Sequence, residues 1–118
     1  MSATAMDPAG LKRIPEKGVD LRTIRYLATV DVDRAALEER WEAPEIVRDC
    51  LAEWYCFAFS PSEGEAFFLQ QEVENPPAPG FGLSATRALF SADSAGRMVG
   101  ALGIAGARVT HVNAEADP

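Results

Sequence analysis

Tyr55-Cys56-Phe57-Ala58-Phe59-Ser60-Pro61-Ser62-Glu63-Gly64-Glu65-Ala66-Phe67-Phe68-Leu69-Gln70-Gln71-Glu72-Val73 holds two aromatic runs joined by a short polar link. Aromatic residues suit a pleated, half-buried surface, and Pro61 to Gly64 supply turn chemistry. The stretch predicts a hairpin with strands over 55–60 and 66–73. Its two faces are unusual. Tyr55, Phe57 and Phe59 alternate with Trp54, Cys56 and Ala58, and Phe67, Leu69 and Val73 oppose Phe68. Bulky apolar side chains therefore fall on both sides of the hairpin. An apolar sheet face is covered by the chain itself or by a partner. The next residues, Asn75-Pro76-Pro77-Ala78-Pro79-Gly80, read as an extended connector, because proline cannot donate to a ladder.

Upstream, Thr23 to Val32 is rich in β-branched residues and predicts a strand. Strict alternation would put Ile24, Tyr26, Ala28, Val30 and Val32 on one face. Asp33 can cap a helix through its carboxylate. Leu37, Trp41, Val47, Cys50, Leu51 and Trp54 then recur at helical spacing, predicting a helix from 34 to about 53 that is kinked or split at Pro44. Downstream, 81–90 reads equally as loop, short strand or helical turn. Ser91 can cap a helix from Ala92 to about Leu102, and Ala107 to Val112 predicts a last strand. Gly96 and Gly100 weaken that helix, and their small size suggests close packing on the sheet.

The resulting order is strand, helix, strand, strand, helix, strand. That is the α+β, ferredoxin-like split βαβ arrangement: an antiparallel sheet, both helices on one face, the first strand beside the third. If 81–89 is a further strand, a larger α+β sheet results. The expected organisation is a flexible arm over 1–18, one α+β domain over 19–113 and a disordered acidic tail over 114–118.

Composition narrows the function. The chain has 118 residues, 11 Lys+Arg against 18 Asp+Glu, and a net charge of −7. Such a charge disfavours nucleic-acid backbones and anionic membranes and attracts basic proteins. No apolar run is long enough to span a membrane and no secretory signal opens the chain, so a cytoplasmic location is expected. Cys50 and Cys56 sit among apolar residues and read as small buried hydrophobes. With one histidine, they form no metal-ligand pattern, and no cofactor or metal is expected.

No catalytic motif stands out. Gly100, Gly103 and Gly106 are spaced GxxGxxG, which is not the dinucleotide fingerprint. Glu38, Glu39, Glu42, Glu45 and Asp49 crowd the first helical region. Together with Trp54 and Phe68, they are the candidate partner-binding residues. An alternative pocket would use Tyr26, Asp31, His111 and Asn113, with His111 as general base on the same face as Val109 and Asn113. The expected function is a small, acidic, non-catalytic protein-binding domain acting stoichiometrically. An inhibitor, an immunity-type antitoxin or an accessory subunit would behave so. Its partner would be a protein, basic by charge complementarity, with a homodimer through the sheet as a further expectation. The alternative is a cofactor-independent small-molecule enzyme or ligand-sensing domain of the dimeric ferredoxin-like type.

Overall fold

A computed structural model describes residues 10–73 and 80–118. Among them are seven strands and two helices in an α+β arrangement: β1 Lys12–Ile14, β2 Ile24–Asp31, α1 Arg34–Trp41, β3 Glu45–Arg48, β4 Glu53–Ser60, β5 Phe67–Glu72, β6 Phe81–Thr86, α2 Ala92–Ala101 and β7 Arg108–Val112. All pairings between these strands are antiparallel, in the order β1-β4-β5-β6-β2-β7. β3 also pairs with β4, and occupies the part of its edge that β1 leaves open. No helix among the described residues is long and apolar enough to cross a membrane.

The strand order departs from the ferredoxin-like expectation. β6 lies between the first predicted strand, β2, and the third, β5, and separates them. Phe81, Leu83 and Ala85 are buried on one face of β6, while Gly82, Ser84 and Thr86 are half-buried on the other. The segment forms a strand because cross-strand partners supply packing that its own residues lack.

Both helices contribute to one core, on the face that also buries Phe57, Phe59 and Leu83. Asp33 caps α1 by accepting from the Ala36 N–H at 3.2 Å, and Ser91 caps α2 by accepting from Ser94 at 3.0 Å. The buried Trp41 indole donates to the Leu102 carbonyl at 2.8 Å, joining the end of α1 to the end of α2. Gly96 and Gly100 do not pack on the sheet as expected. Both are exposed, and a Cβ at either would meet nothing within 4 Å.

The expected long helix ends at Trp41. Glu42 takes a positive φ of 74°, and the chain returns as β3, which pairs Ile46 with Tyr55 and Val47 with Trp54. The strict alternation in β2 also fails. A register shift between Tyr26 and Ala28 lets Leu27 and Ala28 both be buried, and turns Tyr26 to the other face.

The second face explains the hairpin. Cys56, Ala58 and Phe68 are enclosed there beneath Ile14, Val19 and Val47. The chain covers its own second apolar face, and Phe68 is 1% exposed. The arm assigned to 1–18 thus contributes β1, and residues 1–9 lie outside the described residues, as does 74–79 of the proline connector. The tail at 114–118 is tied back: Asp117 bridges to Ser91, and its carbonyl accepts from Ala92 at 2.7 Å.

Burial separates the two thiols. Cys56 is enclosed, and desolvation, with Glu16 and Glu45 adding to it, pushes its pKa up to about 12. Cys50 is exposed, against expectation, because it lies in the β3–β4 turn rather than on a helix face.

Three outcomes follow. In the native protein a thiol reagent modifies Cys50 alone, and Cys56 reacts only after denaturation; rapid labelling of both contradicts the fold. At Gly80, φ is +92° and a Cβ would stand 2.1 Å from the Val30 carbonyl oxygen, whereas Gly64, φ +81°, has open space. Gly80→Ala should lower unfolding free energy by more than ~3 kcal/mol, and Gly64→Ala by only ~1 kcal/mol. Gly96→Ala and Gly100→Ala should each raise it by ~0.5–1 kcal/mol, read from urea midpoints.

Candidate functional site

The corner formed by α1, β3 and the start of β4 carries most of the predicted partner-binding residues. Its geometry begins at Asp49. The carboxylate accepts from the backbone N–H groups of Leu51 and Ala52, both at 2.8 Å, and from the Trp54 indole at 3.0 Å. Those backbone bonds, chiefly, hold the Asp49 carboxyl below its ordinary range. The resulting tight turn projects Leu51 outward, 87% exposed. Ile46, on the edge strand β3, is 54% exposed. Trp54 is half-buried and anchored by its ring nitrogen.

The same corner concentrates negative charge. Between residues 38 and 53 stand six carboxylates and two arginines, Arg40 and Arg48. Some of these carboxylates are engaged within the chain. Glu38 pairs with Arg34 at 3.3 Å, Glu53 with Arg48 at 2.6 Å, and Glu45 accepts the Glu16 N–H at 2.7 Å. Glu39, Glu42 and Asp49 are exposed. Glu42 and Glu45 line a cleft of about 540 Å³ with Arg13 and Arg40. Asp49 and Glu53 line a shallower one of about 300 Å³ beside Leu51 and Cys50.

Arg13 fixes the floor of the larger cleft. Its guanidinium donates to the Trp41 carbonyl at 2.6 Å and to the Ala43 carbonyl at 3.3 Å. It lies 5.1 Å from the Phe57 ring centre and 5.9 Å from that of Phe59. Burial lowers its pKa, and the opposing field of Glu45 and Glu42 favours the charge. Arg13 thereby binds β1 to the end of α1, where free carbonyls need donors.

The predicted residues are therefore divided. Glu42 and Glu45 line one cleft and Asp49, which holds Trp54, lines another, while Glu39 faces a third beside Gly103 to Ala105 at the end of α2; Phe68 is enclosed on the sheet's second face and offers nothing to a partner. Ile46, Leu51 and Arg13 were not among the predicted site residues. An Asx-turn at Asp49, between the β-branched pair Ile46-Val47 and the aromatic run from Trp54, is the signal that points to Ile46 and Leu51, whereas no local pattern marks Arg13.

The alternative pocket does not assemble. A register shift in β7 pairs His111 with Thr29 and Val109 with Val30, which places the two on opposite faces. His111 is exposed, and its ring makes no hydrogen bond among the described residues. Asn113 spends its amide on the backbone, donating to the Tyr26 carbonyl at 2.8 Å and accepting from Glu115 at 2.9 Å. Asp31 pairs with Arg108 at 3.5 Å, and the Tyr26 hydroxyl bonds Thr29. These four groups do not converge on a common point, so they form no acid–base pair. Among the described residues no three His, Cys, Asp or Glu side chains are placed to hold a metal ion. In comparisons with protein-family models, curated proteins and solved structures, nothing matches this chain.

Proposed function

We propose that this protein is a non-catalytic binding domain that captures a basic protein stoichiometrically, as an inhibitor, antitoxin or accessory subunit does, and that the α1–β3–β4 corner is its contact surface. The observation that carries this reading is Leu51, 87% exposed at the tip of a turn ordered by Asp49, with Ile46 beside β4 and carboxylates around both. A large apolar side chain held rigidly in water is unfavourable in the free protein. Its burial against a partner returns about 2 kcal/mol, and its rigid mounting reduces the ordering cost. The surrounding carboxylates steer a basic partner and speed encounter. The free thiols Cys50 and Cys56 fit a reducing, cytoplasmic setting. A homodimer through the second sheet face has no support from Phe68, which the chain itself covers.

The test begins with native mass spectrometry of the protein isolated from its host at low salt, followed by binding kinetics with the identified partner. Leu51→Asp and Ile46→Asp should each weaken the complex about tenfold or more, mostly through faster dissociation, with little change in melting temperature. Wild-type association should slow as salt rises. A partner that binds Leu51→Asp as tightly as wild type, or associates independently of salt, contradicts the reading.

A further inference from the structure

We propose a second, separate site: the cleft between the start of β2, the turn Arg87–Leu89 and the segment Asn113–Pro118 binds a small dicarboxylate, and the Glu115 carboxylate occupies part of that site in the free protein. The cleft encloses about 500 Å³, a volume suited to a small molecule. Its floor is apolar, from Ala85 and Phe90, both buried. Its walls carry Arg22, Arg25 and Arg87, three of the nine arginines in a chain of net charge −7. That gathering runs against the charge of the molecule as a whole.

The three arginines differ in what they already hold. Arg22 is engaged by Asp20, through Nε and Nη2, each at 3.1 Å. Arg25 lies 4.6 Å from the Phe90 ring centre and donates to the Glu115 carboxylate at 2.6 Å. Contact with the ring places the guanidinium at the cleft, where it can meet an anion. Arg87 has no ion pair among the described residues. One carboxylate on Arg25 and a second near Arg87 would match the cleft.

Glu115 is suited to yield. Its side chain is 71% exposed and that of Arg25 is 59% exposed, so their ion pair contributes little stability. The backbone on either side is held independently. Asn113 accepts the Glu115 N–H, and Asp117 bonds to Phe90 and Ala92. A rotation of the Glu115 side chain alone would clear Arg25. Asp117 also lines the cleft, so an incoming anion is held by Arg25 and Arg87 against its repulsion.

The experiment is amide chemical-shift mapping on the full chain, titrated with succinate and, separately, with inorganic phosphate at matched ionic strength. Succinate should give saturable shifts at Arg25, Arg87, Phe90 and Glu115. Glu115→Gln should tighten binding several-fold by removing the competitor, and Arg25→Gln or Arg87→Gln should weaken it about tenfold, with melting temperatures confirming that each variant is folded. Three results overturn the proposal. One is absence of saturation in both wild type and Glu115→Gln. Another is equal shifts at the remote Arg34, Arg48 and Arg108. The third is phosphate binding more tightly than succinate.

Discussion

A strand with apolar side chains on both faces must be covered on both, and β4 imposes that demand on this protein. Phe57 and Phe59 belong to the core shared with the helices, while Cys56 and Ala58 face the other way and are equally buried. The helices satisfy one side. The other is closed by Ile14, Val19 and Val47. Arg13 ties the two solutions together, since it sits against Phe57 and Phe59 and holds the carbonyls that end α1. The guanidinium loses hydration there, with compensation from carbonyls, rings and nearby carboxylates.

The candidate contact surface follows from the same demand. β1 and β3 divide one edge of β4, and β3 therefore pairs only with the first part of that strand. Leu51 and Ile46 are left in solvent, while Val47, on the opposite side of β3, reaches the second apolar cluster. Exposure at the corner and burial at Phe68 are two results of one arrangement.

Much of the fold was legible where local chemistry and tertiary packing agree. The hairpin, both helix caps, α2 and the last strand stand essentially where alternation and capping place them. β3 was hidden because Val47, Leu51 and Trp54 recur at helical spacing among strong helix formers, and pairing with β4 prevails over that periodicity. β6 was ambiguous because Gly82 and Ser84 lack β-propensity. β1 has three residues, and its support comes from Arg13 contacts 28 to 30 positions away, which no local pattern carries. The same misreading of β3 affected the site. It assigned Leu51 to a buried helix face and left Phe68 free, and it could not separate carboxylates that are neighbours in the chain but line different clefts.

The most direct measurement is of side-chain proximity on the second sheet face, by nuclear Overhauser contacts in dilute, isolated protein. The account predicts contacts from the methyl groups of Ile14, Val19 and Val47 to the enclosed Cys56, Ala58 and Phe68 cluster, unchanged on dilution. If the Phe68 ring shows no such contacts, or only ones that vanish on dilution, the chain does not cover its own apolar face. The interface would then belong at the sheet rather than at the Leu51 corner.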